Sequence, residues 1–209
     1  MGLKKVIAVL AVFLISAFIL QSAFAQVITN RTGTITITKP DGTVLIVGAS
    51  DPLPNIPSGS VIEVLYGTIQ VAPDAGTFTI VAGNTTATVS GGQEAQVGLD
   101  VATGAAEVTS IVGTIQTETA GVQASVSTGS TAVISADATT GNVSVTATSG
   151  TVTVTGTDGS VSVISQGETS TTGAAAGAEI VTTTTTTDEG EDESPEPEVP
   201  EPEQPDASE

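Results

Sequence analysis

The side chains of this chain that could carry chemistry are carboxylates. Glu63, Glu94, Asp100, Glu107 and Glu118 are spread through the middle of the sequence. A pair of carboxylates at the right separation could cleave a glycosidic bond, one as acid and one as base or nucleophile. No spacing links any two of these five. They stand at alternate polar positions or at turns, which is the pattern of a solvated face. The usual bases are lacking. His and Cys are absent, and Lys39 is the only lysine beyond Lys4 and Lys5, so a Ser or Thr nucleophile has no partner to take its proton. The sequence predicts a protein that is not an enzyme, with no catalytic, cofactor-binding or metal-ligating residue.

Calcium is weighed separately. Asp41 and Asp158 each precede a Gly within a repeated unit. The calcium-binding nonapeptide reads G-G-x-G-x-D-x-U-x, and hard cations need clustered oxygen ligands. The unit here keeps one Gly and places Asp at its end. Asp before Gly is also what a tight turn requires. A structural calcium site is therefore the lesser reading, and no cofactor is expected.

Charge narrows the partners. The 209 residues carry a net charge of −19, with four Lys and Arg against 23 Asp and Glu. Beyond Lys39 there is no positive side chain. Nucleic acid needs a basic footprint, and docking on an anionic membrane surface needs the same; both are excluded as partners. The absence of Cys excludes a disulfide framework and a lipid-modified N-terminal Cys. Beyond the leader only Tyr66 and Phe78 are aromatic. The core must then be filled by Val, Ile, Leu, Ala and Thr, which suit the thin interior of stacked or sandwiched sheets.

The element that positions these residues is a repeat. Gly141, Gly150 and Gly159 open three units at a nine-residue period, GNVSVTATS, GTVTVTGTD and GSVSVISQG. In each unit two Val lie two residues apart and share one strand face, with Ser or Thr on the other. Looser copies start at Gly33, Gly67 and Gly113, and Gly33, Asp41, Gly42 and Thr43 align with Gly150, Asp158, Gly159 and Ser160. The four linker residues suit a hairpin turn or a bend between faces of a solenoid coil, and the sequence leaves both open. The expected inward face comprises Val143, Val145, Val152, Val154, Val161 and Val163. The fold class predicted is all-β: repeated short strands forming a β-solenoid, roll or sandwich, with a disordered acidic C-terminal tail.

Taken in order, residues 1–25 read as a signal peptide. Lys4 and Lys5 precede an apolar run from Val6 to Leu20, and Ala23-Phe24-Ala25 gives a cleavage site before Gln26. Residues 27–168 form the β-repeat domain. Strands are expected at Thr34–Thr38, Val44–Val47, Val61–Tyr66, Phe78–Val81, Thr86–Val89, Ala95–Leu99 and Ala105–Ile111. The stretch Asp51 to Pro57 is a proline-rich excursion. Residues 169–209 are a Thr-rich linker and an acidic Pro/Glu tail, too charged and too poor in apolar residues to order.

These residues resemble a family. Thr139 to Val145, Ser149 to Val154 and Gly159 to Glu168 are similar to the C-terminal half of the FecR domain, with its TG-x-V-x-V strand, its G-x-V-x-V strand and its closing Gly-Gln/Glu turn. Gly91 to Glu94 looks like a second closing turn, and Ile56 to Glu63 is similar to the family's G-[DS]-x-I segment. The likeness spans residues 33–168. It implies an extracytoplasmic β-rich fold. The transmembrane and cytoplasmic parts of the family's regulators are not seen here, nor is its Arg-Gly-Thr before a Phe-containing strand; Ser127 to Thr131 stands near that place. The expectation is an exported, non-enzymatic, FecR-like module that binds or supports structure at the bacterial cell envelope, periplasmic or extracellular. Its partner would be an envelope protein or polysaccharide. The alternative is a self-assembling surface or matrix protein, since Val/Thr strands without positive gatekeepers can pair edge to edge.

Overall fold

The structure is a computed structural model and describes residues 27–173 and 181–184. The expected signal peptide with its expected cleavage site, and the acidic tail from Asp188, lie outside the described residues. Sixteen strands join in one sheet, and among the described residues there is no helix. The strands are β1 (Ile28–Arg31), β2 (Thr34–Thr38), β3 (Val44–Val47), β4 (Val61–Val71), β5 (Thr77–Ala82), β6 (Thr85–Ser90), β7 (Glu94–Leu99) and β8 (Ala106–Val112). There follow β9 (Ile115–Thr119), β10 (Val122–Val126), β11 (Thr131–Ala136), β12 (Asn142–Ser149), β13 (Thr151–Thr155), β14 (Val161–Ser165), β15 (Glu168–Gly173) and β16 (Val181–Thr184).

The sheet folds back on itself at β4 into two facing leaves. The first half of β4 pairs with β2 and β5, and from Gly67 onward it pairs with β1 and β7. The first leaf runs β3-β2-β4-β5-β6-β9-β10-β13-β14, and the second β1-β4-β7-β8-β11-β12-β15-β16. At the far end β14 meets β12 and β15, so the whole is a flattened, nearly closed barrel. Its thin interior is filled by Ile, Val and Ala from both leaves, with Phe78 the one buried aromatic side chain among the described residues. Buried and outward residues alternate along most strands, as in β2 and β13, because successive side chains leave opposite faces of the pleat.

The repeat uses its turns alternately. Hairpin turns contain Gly83, Gly104, Gly121, Gly141 and Gly159, while Gly92, Gly113, Gly129, Gly150 and Gly167 mark crossings from one leaf to the other. Both linker geometries left open by the sequence thus occur. One hairpin in each leaf makes the larger unit. Gly92 and Gly129, Asp100 and Asp137, Gly104 and Gly141, and Gly113 and Gly150 all keep an offset of 37 residues.

One expected face is corrected. Val143, Val145, Val152 and Val154 are buried, but Val161 and Val163 are 64% and 62% exposed, and Ile164 is fully buried. Five residues, Gly156 to Ser160, separate Thr155 from its partner Val161. Residues directly opposite in an antiparallel pair share a face, so outward Thr155 fixes Val161 outward, and Val152 takes Ile164. The aligned hairpin β2–β3 does the same: Ile35 faces Val47, and Val44 and Ile46 are 57% and 73% exposed. The boundary at 168 also moves. β15 begins there and pairs with β12, burying Ser170 and Thr172, and β16 adds to β15. Small Ser and Thr at inward positions serve here because the space between the leaves is narrow. The excursion from Asp51 to Pro57 buries Ile56 and is tied to β1 by the Arg31 guanidinium, whose Nη2 donates to the carbonyls of Ala49 (3.2 Å) and Asp51 (2.7 Å).

Candidate functional site

On the outer face of the second leaf β4, β7, β8 and β11 leave a trough of about 750 Å³. Its floor exists because Gly98 leaves a gap in the outward side-chain row of β7. Gly98 lies between Thr68 of β4 and Glu107 of β8, and a Cβ there would come within 3.1 Å of Thr68 Oγ1. Glu107 is exposed and sits opposite Val133 of β11. Gln96 and Ser135 complete the outward-facing wall.

The rim is made by two copies of one loop, Asp100-Val-Ala-Thr-Gly104 and Asp137-Ala-Thr-Thr-Gly141. Each Asp folds back on its own turn. Asp100 accepts from the Ala102 amide (2.9 Å) and the Thr103 hydroxyl (2.8 Å). Asp137 accepts from the amides of Thr139 (2.7 Å) and Thr140 (3.3 Å). Asp100 is held below the ordinary carboxylate range, first by the Thr103 hydroxyl and then by the Ala102 amide. Asp137 is held low chiefly by the Thr139 amide. Both are anionic acceptors at neutral pH. The trough offers hydroxyl, amide and carboxylate groups over a partly apolar floor, and can hydrogen-bond a neutral hydroxyl-rich ligand.

The other carboxylates are elsewhere. Glu63 and Glu118 point outward from β4 and β9 of the first leaf, with β5 and β6 between those strands. Glu94 accepts a hydrogen bond from the Gln70 side-chain amide. Of the five candidates only Asp100 and Glu107 line one site. Asp41 and Asp158 cap turns: each Oδ1 accepts an amide at 2.9 Å, from Thr43 and Ser160. Both are held low by these bonds, Asp41 mainly by the Thr43 amide and Asp158 by the hydroxyl and then the amide of Ser160. Among the described residues no three carboxylates gather as a metal site would need.

Gly98, Gln96, Val133 and Ser135 were not singled out by the sequence reading. Two signals pointed to them: a Gly inside a strand, which marks a close approach, and the constant offset between Asp100 and Asp137. Comparison with family models, with curated proteins and with solved structures gives no match.

Proposed function

We propose that this chain is an exported, non-enzymatic, FecR-like β module that binds a neutral envelope polysaccharide in the trough between its two Asp-x-x-Thr-Gly loops. The observation that carries the reading is the repetition of that loop on one rim, with a Gly-floored concavity between the copies. Two equivalent loops suit a ligand that is itself a repeat. Concave surfaces are where ligands gain most contact, and hydroxyl, amide and carboxylate groups match sugar hydroxyls. The export part of the proposal rests on the leader sequence.

The test is co-sedimentation of the purified full chain with insoluble envelope polysaccharide. Wild type should be retained, and Ser135→Trp, which places an indole in the trough from an outward position, should lose retention with unchanged melting. Equal retention of both proteins would contradict the site. Release of reducing sugar would contradict the non-enzymatic reading. A second reading, self-assembly at the cell surface, is favoured by a different observation, the exposed aliphatic side chains on the two edge strands of the first leaf.

A further inference from the structure

We propose that copies of this chain associate end to end, the outer edge of β14 in one copy pairing with the outer edge of β3 in the next. The inference rests on the assembly reading and is independent of the trough.

β3 and β14 end the first leaf, and among the described residues no strand pairs with the outer edge of either. They are the second strands of equivalent hairpins. The turns close with matching bonds, Lys39 amide to Thr43 carbonyl and Gly156 amide to Ser160 carbonyl, both 2.9 Å. The match continues to the strand ends, where Asp51 accepts the Gly48 amide (2.8 Å) and Glu168 the Ser165 amide (2.7 Å). Counting along the antiparallel ladder from the closing bonds, the N–H and C=O groups of Val44, Ile46, Val161 and Val163 point away from their own hairpins. Among the described residues no strand takes up these ladder groups, which is the state of an edge that can pair.

The side chains of the same four residues are the second observation. An edge strand is ordinarily blunted with charge. Here residues 44–47 and 161–165 contain no charged side chain. The strand that occupies the place of β14 in the preceding hairpin of the leaf is β10, already covered by β13. Its outward residues are Gln123 and Ser125, where β14 has Val161 and Val163. The edges are thus more apolar than an interior strand, which is the composition of a surface that becomes covered.

Direction identifies the occupant. Every junction in the first leaf is antiparallel except β4–β5. Following these junctions, β3 and β14 run in opposite directions. A second copy shifted along the leaf, without rotation, sets its β3 antiparallel to β14 of the first. β-Branched residues then face β-branched residues across the new pair, a favourable cross-strand combination. Because the two surfaces differ, the contact is heterologous and leaves an open end on each copy, so it propagates as linear chains.

The experiment is sedimentation velocity on the full chain over a concentration series, in enough salt to screen its net negative charge. Wild type should form a ladder of multiples of the monomer mass. One variant, Val161→Lys with Val163→Lys, blocks β14; another, Val44→Lys with Ile46→Lys, blocks β3. All four sites are exposed, and unchanged melting checks that both variants fold. Each variant alone should be monomeric, and their mixture should stop at twice the monomer mass, since it retains one good edge of each kind. A wild type that stays monomeric overturns the proposal. So does a variant that assembles as wild type does, or a β3-blocked variant that dimerises alone through β14.

Discussion

Val152 lies directly opposite Ile164 in the sheet, with Val161 and Val163 on the outward face, opposite to the inward row that the repeat assigns to them. A strand has a side-chain period of two, and a unit of nine residues is odd. Whether successive units keep their face therefore depends on the turn between them. At the leaf crossing through Gly150 the inward row continues from Val143 and Val145 to Val152 and Val154. At the hairpin through Gly159 it moves to Ile164.

The point where the two leaves join depends on two glycines. Gly33 and Gly67 pass so closely that a Cβ on Gly33 would lie 1.7 Å from the Tyr66 carbonyl oxygen. The backbone cannot yield there without breaking the β2–β4 pairing. Gly33→Ala should cost more than about 3 kcal/mol, in the range of severe core overpacking. Gly42→Ala meets open space but keeps a φ of +82°, and should cost only about 1–2 kcal/mol. Urea unfolding of the two variants checks the difference; equal small losses would contradict the close crossing.

A hydroxyl also holds the crossings. Ser130, nearly fully buried, accepts the Thr151 amide at 2.8 Å, as exposed Ser58 accepts the Thr77 amide at 3.1 Å. Ser130→Ala removes the acceptor of a part-buried bond and leaves a gap at a buried position, at a cost of about 1 kcal/mol. At Ser58→Ala water replaces the hydroxyl, and the loss should stay below about 0.5 kcal/mol. Thermal melting separates the two.

The four turn aspartates set the acid limit. Asp41, Asp100, Asp137 and Asp158 are all held below the ordinary aspartate range by bonds from their own turns. With folded values below unfolded ones, the ionised turns stabilise the fold above the unfolded value. That contribution is lost as pH falls through the folded values. Tm should stay level through neutral pH and fall below about pH 4. Replacing all four by Ala should lower Tm at neutral pH and flatten the acid limb. An unchanged acid limb would show that the turns are not its cause.

Much of the fold was legible in the sequence. Alternation in Thr34–Thr38 and Thr151–Thr155, Gly at turns, and Pro40-Asp41-Gly42 state their local structure directly, since each is a matter of short-range sterics. The alternate use of turns was not legible, because hairpin and crossing draw on the same Gly, Asp and Thr. The fate of Val161 hung on the pairing partner of Thr155, a long-range fact. Residues 169–173 read as linker because Ser and Thr look like linker wherever no narrow interior is known to receive them. The trough was hidden for a related reason: Gly98 is one more small residue until its neighbours Thr68 and Glu107 are known.

Melting of four single variants tests the register on which the leaves, the edge strands and their association all depend. Val152→Asp and Ile164→Asp each bury a charge in the interior. Each should cost several kcal/mol, enough to unfold a domain whose whole stability is about 5–15 kcal/mol. Thr153→Asp and Val163→Asp face solvent and should each cost less than about 1 kcal/mol. If instead Val163→Asp unfolds the protein and Ile164→Asp is tolerated, β14 is paired one residue out of register, and Val161 and Val163 belong to the core.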